Sequence, residues 1–361
     1  MKNWKKSVVA AATALLLGVS LMGCGAKKAE SGAAESATTA SATAESASAT
    51  GTAAESAAAA KTEAGAGLRV GALKGPTAMG LAALMQESQD GKSEGSYQFT
   101  VAAQSDEIAA KLVSGDLDIA LLPANMAAAL YNKTEGKIAV LNINTLGVLY
   151  CVTGDENIHS VKDLAGKTVL TTGQGATPEY VLRYLLQENG VTDCTLEFKS
   201  EPTEIASALA ADPAAIAVLP QPFVTVAEAK NDKLKTAFSL SDSWDALNNG
   251  SRLVTGVTVV RQEVLKAQPD AVKTFREEQA RSAATAVQDP ETAAKAVVAF
   301  GILENEGIAK KALPACNITA ITGEEMKKAL SGYLNVLYEA DPKAVGGKLP
   351  DDAFYAVTEA K

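Results

Sequence analysis

One pattern recurs along the chain from Leu68 onward: a short apolar run ends at a turn of glycine, proline and small residues, and a helical pattern follows. Strand patterns at 68–72, 117–122, 167–171 and 215–219 precede the turns LKGP, PAN, GQGATP and PQP. Short strands that alternate with amphipathic helices are typical of an α/β domain with a parallel sheet. Because parallel strands end at the same edge of a sheet, we expect these turns to meet at a ligand site.

The first twenty-four residues have the pattern of an export signal. Lys2, Lys5 and Lys6 precede the apolar run 8–17, and the segment ends in LMGC at Cys24. The LMGC ending resembles the bacterial lipobox, which implies cleavage before Cys24 and a lipid on its sulfur. A plain signal peptide with an incidental cysteine is the alternative. No later segment offers the roughly 18 apolar residues that cross a bilayer, so we expect an extracytoplasmic protein whose only membrane contact is the lipid.

Residues 24–66 are predicted to be the lipidated cysteine and a disordered tether. From 25 to 66 the sequence is almost entirely alanine, serine, threonine, glutamate and glycine, without one aromatic or large aliphatic side chain. Such a segment has nothing to bury in a core. As a flexible coil it would hold the folded part on the order of 35 Å from the membrane.

Charge and residue usage exclude several function classes. The formal net charge is −9, and the signal contributes three lysines and no acid, so the mature chain stands at −12 and has no basic stripe for nucleic acid. The cysteines after the signal, at 151, 194 and 316, lack metal-site spacing and are interpreted as small buried residues. His159 is the only histidine, which removes the commonest general base. We therefore expect no catalytic residue, no metal site and no cofactor.

The turns themselves favour binding over phosphate chemistry. A helix N-terminus exposes unpaired N–H groups and a partial positive charge, which attract a carboxylate or sulfonate. The P-loop motif is absent, and Gly173-Gln174-Gly175 lacks the third glycine and the downstream acid of a dinucleotide-binding fingerprint. Ordinary connectivity between strands and helices is the alternative interpretation of each turn taken alone.

Three segments carry a resemblance to a known family: GDLDIALLPANMAAAL, NIHSVKDLAGKTVLTTGQGATPEYVLRYLL and IAVLPQPFVTVA. They resemble the type II solute-binding proteins of ABC importers, in the branch that binds nitrate, sulfonates, taurine and thiamine-pyrimidine precursors. The resemblance implies an α/β fold of two lobes around a central cleft, joined by two strand crossovers that form the hinge, near 144–152 and 252–259. Lobe 1 would comprise 67–144 and 258–361, and lobe 2 would comprise 145–257.

The resemblance also implies ligand-binding positions in the matching turns. In lobe 1 these are Lys74, Gly75, Pro76, Thr77, Asn125, Asn144 and Thr145, and in lobe 2 they are Gln174, Gly175, Ala176, Thr177 and Gln221. Trp244 is a further candidate that would wall the cleft, or else anchor the lobe surface. Lys74 would pair with an acidic ligand, or else be a solvated loop lysine. Gln221 stands where many relatives have glutamate, which leaves the charge preference open.

The function that the resemblance implies is that of a monomeric, lipid-anchored receptor. It would capture a sulfonate, a carboxylate or a heterocyclic vitamin precursor and deliver it to ABC permease and ATPase subunits, without a nucleic-acid partner. Two alternatives stay open at this stage. One is an enzyme on the same scaffold, like the thiamine-pyrimidine synthases, which use histidine; the other is a surface binding protein that has lost transport.

Overall fold

The computed structural model describes residues 67–174 and 176–357. The predicted signal peptide, the lipidation site Cys24 and the predicted tether lie outside the described residues, as does Gly175. Among the described helices, none combines the length and the apolar character needed to span a membrane.

The described part of the chain contains strands β1 to β11 and helices α1 to α13, which alternate over most of its length. The strands are β1 Leu68–Leu73, β2 Tyr97–Ala102, β3 Ile119–Pro123, β4 Ile138–Leu146, β5 Leu149–Thr153, β6 Thr168–Thr171, β7 Thr195–Phe198, β8 Ile216–Pro220, β9 Lys235–Ser239, β10 Val254–Arg261 and β11 Ile318–Ile321. The helices are α1 Pro76–Met79, α2 Ala82–Gln89, α3 Ser105–Ser114, α4 Ala124–Lys133, α5 Thr177–Glu188, α6 Pro202–Ala211, α7 Phe223–Lys230, α8 Leu240–Asp245, α9 Gln262–Ala267, α10 Pro269–Gln288, α11 Pro290–Ala299, α12 Glu306–Ala312 and α13 Gly323–Ala340.

The strands form two sheets, each of which organises one lobe. The first lobe has the strand order β11-β4-β10-β3-β1-β2, and the second has the order β7-β6-β8-β5-β9. Strands β1, β2 and β3 are parallel to one another, as are β6, β7 and β8. The antiparallel strands β10 and β5 are those that begin just after the chain has changed sheets. The expected two-lobed α/β fold with two crossovers is confirmed.

The two crossovers lie side by side, since Leu146 at the end of β4 pairs with Val254 at the start of β10. The chain leaves the first sheet at Leu146 and enters the second at Leu149, and it returns after α8 to begin β10 at Val254. The carbonyl of Gly147 in the first crossover accepts hydrogen bonds from Ser241 Oγ at 3.0 Å and Asn317 Nδ2 at 2.5 Å. A Cβ at Gly147 would lie 2.2 Å from Ser241 Oγ, so only glycine permits this close approach.

One apolar cluster runs through both lobes. It joins the face of the first sheet under α3, α4 and α13 to the face of the second sheet under α5 and α8. The opposite faces have separate clusters, one under α2, α10 and α11 and one under α6 and α7. Helix α13 therefore connects the two lobes by burial of apolar side chains, which is the dominant favourable term in packing.

The helical pattern after LKGP is broken in two. Helix α1 has four residues, and α2 begins only at Ala82. The Ser282 hydroxyl donates to the Gly80 carbonyl at 2.8 Å and accepts from the Leu84 N–H at 3.1 Å. It thereby replaces the bond between residues 80 and 84 that would continue the helix. The LKGP turn consequently begins a single helical turn, in contrast to the longer helix that its apolar pattern suggested.

Candidate functional site

Three predicted residues of the first lobe meet beside the first crossover. Thr77, Asn144 and Thr145 are all buried, and they surround Gly256 of β10, where an added Cβ would lie 2.5 Å from Asn144 Oδ1 and 2.7 Å from Thr77 Cγ2. Sequence reasoning missed Gly256, although a glycine inside a strand pattern is a known sign of close approach.

The polar groups of this first-lobe cluster already have protein partners. Thr77 Oγ1 donates to the Leu73 carbonyl at 2.6 Å. Asn144 Nδ2 donates to Thr258 Oγ1 at 3.1 Å, while Asn144 Oδ1 accepts from Thr145 Oγ1 at 2.8 Å. Gln279 of α10 extends the network by donating to Thr258 Oγ1 at 2.7 Å. This arrangement fixes the strand that leads into the crossover.

The LKGP turn presents its remaining predicted residues to solvent. Lys74 is exposed and makes no ion pair with any described residue, and Gly75 caps α1 with a φ of 125° that favours glycine. Pro76 occupies the first helical position and is partly exposed. Because α1 ends after one turn, its dipole is small and this turn gives little of the predicted electrostatic attraction.

Helix α4 supplies the first-lobe helix start that faces the second lobe. It has ten residues, with Pro123 as the N-cap and Asn125 as the second helical residue. The side chain of Asn125 is partly buried and donates to the Ala344 carbonyl at 3.5 Å. Its amide oxygen faces the second lobe, where it meets Thr177.

Helix α5 supplies the matching helix start from the second lobe. Thr177 followed by Pro178 predicts Thr177 as the N-cap, but in the structure Ala176 is the N-cap, and Thr177 and Pro178 are the first and second helical residues. The Thr177 hydroxyl bonds to the opposite lobe, donating to Asn125 Oδ1 at 3.3 Å, and does not return to its own helix. Gln174 is exposed in the preceding turn.

Gln221 lies at the end of β8 in the second lobe and is 5% exposed. Its backbone N–H donates to the Val148 carbonyl in the first crossover at 2.9 Å. Its amide oxygen accepts from Thr225 Oγ1 at 2.9 Å, and the Gln221–Pro222 peptide bond is cis. The predicted contact with a ligand remains a prediction, since this oxygen is committed to α7.

Trp244 does not wall the cleft in this structure. Its side chain is 0% exposed, and its indole N–H donates to Ser251 Oγ at 3.0 Å. The ring packs against Tyr184 of α5 at 4.8 Å between centroids and against Tyr333 of α13 at 5.7 Å. Trp244 is therefore neither part of a cleft wall nor a surface anchor of its lobe, because apolar groups from both lobes enclose the ring.

Side chains of α13 and its C-terminal end complete the lobe-to-lobe contact, and sequence reasoning missed them. Tyr180 of α5 donates to Asp341 Oδ2 at 2.9 Å, and Asp341 also accepts from the Lys343 N–H. The bonds from Lys343 and Tyr180 lower the pKa of Asp341. Tyr333 is fully buried next to Thr177, and it occupies a helical apolar stripe that by spacing alone indicates core.

Histidine and cysteine lie away from these helix starts. His159 is exposed in the loop before the 3₁₀ turn Val161–Leu164, where its N–H donates to the Asp163 carboxylate at 3.0 Å. Cys151, Cys194 and Cys316 are free thiols, and burial raises the pKa of Cys151 and of Cys316 to about 12. Among the described residues no group of acidic, histidine and cysteine side chains could hold a metal ion.

A cavity of about 1060 Å³ lies elsewhere in the first lobe, between α3, α4 and α9. Val113, Met126 and Arg261 are among its lining residues. None of the predicted binding residues lines it, so it does not belong to the contact between the lobes.

Comparison with known proteins agrees with this geometry. Residues 136–293 match the family described as NMT1/THI5 like. A crystal structure of an ABC transporter protein from Parabacteroides distasonis is 26% identical, with a TM-score of 0.68, over 80% of this chain and 98% of that one. No curated protein matches the chain by sequence.

Two sulfonate-binding proteins share the fold. The periplasmic aliphatic sulphonate binding protein SsuA from Escherichia coli is 15% identical with a TM-score of 0.62, over 81% of this chain and 94% of that one. The alkanesulfonate-binding protein SsuA from Xanthomonas axonopodis pv. citri, bound to MOPS, is 14% identical with a TM-score of 0.54, over 79% of this chain and 94% of that one. At these identities the likeness shows the fold.

Proposed function

We propose that this chain, whose residues 136–293 match the NMT1/THI5-like family and whose fold is that of type II periplasmic binding proteins, captures a small organic solute between its lobes and delivers it to an ABC permease. The observation that carries the proposal is the hydrogen bond between Thr177 and Asn125. It joins the starts of two helices that belong to different lobes, as a cleft that closes on a solute requires.

The contact between the lobes is built from few polar bonds. Besides Thr177 with Asn125, Tyr180 donates to Asp341 at 2.9 Å and Tyr150 donates to the Ala315 carbonyl at 2.6 Å. Groups that bond to the opposite lobe in one conformation are available to a solute in another. A solute that bonds to both helix starts favours the closed arrangement by its differential affinity for that arrangement.

The chemistry at the two helix starts suits a polar organic solute. The N-terminal ends of α4 and α5 carry partial positive charge, and the two side chains that meet there are the neutral amide of Asn125 and the neutral hydroxyl of Thr177. The acid in the first turn of α5, Glu179, is ion-paired with Arg183. This set can bind a sulfonate, a carboxylate or a heterocyclic vitamin precursor. The two sulfonate-binding proteins that share the fold make sulfonates the first class to test.

An enzyme of the thiamine-pyrimidine type is the second candidate, since the matched family description includes THI5. His159 is the single histidine of the chain, and it is exposed with its backbone tied to Asp163. No hydrogen bond of the described residues joins this histidine to Asn125 or Thr177 at the helix starts. This placement supports the binding protein over the enzyme.

The proposal includes a lipid anchor on Cys24 outside the cytoplasm, supported by the LMGC sequence and by the likeness to an ABC transporter protein and to periplasmic binding proteins. A thermal-shift screen over sulfonates, carboxylates and thiamine-pyrimidine precursors tests solute capture, because a solute bound only by the folded state raises the unfolding temperature. Stabilisation by one class with micromolar affinity is the expected result. If no member of any class stabilises the chain, solute capture is wrong.

A further inference from the structure

Tyr333 carries a hydroxyl that the protein buries without a partner. The side chain is 0% exposed, and its oxygen makes no hydrogen bond with any described residue. The other buried unpaired atoms of the described chain belong to groups that bond through another atom, as Asn142 does to Gln279. A buried hydroxyl without a partner destabilises the fold, so its retention calls for a role.

The hydroxyl lies beside the first turn of α5. It is close enough to Thr177 for that side chain to influence the Tyr333 pKa, but the two hydroxyls do not have hydrogen-bond geometry. Thr177 directs its proton to Asn125 Oδ1. The Tyr333 ring cannot turn away, because it packs against Trp244 at 5.7 Å and the whole residue is enclosed by the apolar cluster.

The charges near the first turn of α5 are partly compensated. Glu179 in that turn is ion-paired with Arg183 at 2.6 Å, while Asp341 accepts from Tyr180 and keeps its negative charge. The N-terminal end of α5, a helix of twelve residues, contributes partial positive charge. Burial raises the pKa of Tyr333, so the hydroxyl keeps its proton at neutral pH and is available as a donor.

We propose that the Tyr333 hydroxyl is a solute-binding donor that bonds to a carboxylate or sulfonate oxygen held at the first turn of α5. The inference rests on the proposed function and narrows its solute class to oxyanions. Opening of the lobes admits the oxyanion between α5 and α13, and closure brings it within reach of Thr177, Asn125 and Tyr333 together. The bond satisfies the hydroxyl that the protein leaves unpaired.

The test compares the wild-type chain with Tyr333→Phe, which removes one oxygen and keeps the ring. The probes are pentanesulfonate, MOPS and hexanoate, with pentanesulfonamide and hexanamide as neutral counterparts, in thermal-shift and calorimetric titrations. We expect the anions to bind the wild type and Tyr333→Phe to bind them roughly 10- to 100-fold more weakly, the range for a bond to a charged group. Without probe, Tyr333→Phe should unfold at an equal or higher temperature, since it deletes an unpaired buried oxygen.

Tyr131→Phe is the matched control. Its hydroxyl is bonded to Asp351 at 2.5 Å in the first lobe, so its removal should lower the unfolding temperature and leave anion affinity unchanged. Equal anion affinity in wild type and Tyr333→Phe would overturn the role of Tyr333. If only the neutral probes or the vitamin precursors bind, the oxyanion assignment is wrong while solute capture stands. If nothing binds the wild type, both fail.

Discussion

Thr177 and Asn125 are hydrogen-bonded at 3.3 Å, and each stands within the first two residues of a helix from a different lobe. The turn that opposes GQGATP is therefore PAN at the start of α4. The LKGP turn begins a helix of only four residues, and it is not the turn that faces GQGATP from the first lobe. Two full-length helices are thus directed at one contact between the lobes.

Asn125→Ala and Thr177→Ala should each weaken solute binding by roughly 1 to 3 kcal/mol, the cost of removing one partner of a buried polar bond. Calorimetry with the solute identified by the screen measures this loss. Thr177→Ala should leave the start of α5 as stable as in the wild type, because the N-cap is Ala176 and the Thr177 side chain does not cap the helix.

Thr168→Ala is the control for both substitutions, since Thr168 is exposed at the first residue of β6. It should bind the solute like the wild type. Wild-type affinity in both Asn125→Ala and Thr177→Ala would mean that the two turns only connect strands to helices.

Ser282→Ala should lower the free energy of unfolding by about 1 to 3 kcal/mol, because it leaves the Gly80 carbonyl and the Leu84 N–H without their shared partner. For a folded part of this size that corresponds to a fall of several degrees in unfolding temperature. Ser207→Ala is the control, since Ser207 is exposed and bonds only to its own helix at the Thr203 carbonyl. Equal stability of the two variants would contradict the bridging role.

The alternation of strands, turns and helices could be predicted because it depends on local periodicity. Helix α3 ends at Gly115, a left-handed C-cap of the kind that glycine favours, and the apolar run after it forms the buried strand β3. The break between α1 and α2 could not be predicted, since the serine that causes it lies 202 residues away from Gly80. Apolar spacing over Leu81, Leu84 and Met85 is the same with or without that serine.

The candidate site could be predicted only where local sequence patterns mark its residues. Asn125 and Thr177 lie where the turns after β3 and β6 lead into helices, and the turn sequences PAN and GQGATP identified them. Tyr333 and Asp341 belong to a helix near the C-terminus that packs across both lobes, and no local signal relates them to α5. Whether the predicted residues Lys74, Gln174 and Gln221 contact a solute remains a prediction.

Stability should fall as the pH rises above about 9. Burial raises the pKa of Cys151 and Cys316 from 9.0 to about 12, so between these values the unfolded chain loses protons that the folded chain keeps. Each thiol then removes about 1.4 kcal/mol of stability per pH unit, while its full contribution is present below pH 9. Urea unfolding from pH 8 to 11 measures the slope.

Cys316→Ala should make that alkaline loss less steep, while Ser331→Ala, a change at a partly buried position with no titrating group, should not. A slope that is the same in Cys316→Ala and the wild type would contradict the assignment to buried thiols.

Cys24→Ser should leave an uncleaved precursor or release the protein from the membrane, because the LMGC sequence is read as a lipidation signal. Membrane fractionation and labelling with a fatty-acid analogue measure the result. Continued incorporation of label in Cys24→Ser would show that the lipid is attached to another residue.

Deletion of 31–64 should leave solute affinity unchanged, because this segment has no aromatic or large aliphatic side chain with which to join a core. Calorimetry on the deleted and full chains, with the same solute, measures this directly. A scrambled segment of the same composition is the control for effects of length. A tenfold change in dissociation constant on deletion, restored by the natural sequence and not by the scrambled one, would show that the segment contributes to binding and is not a tether.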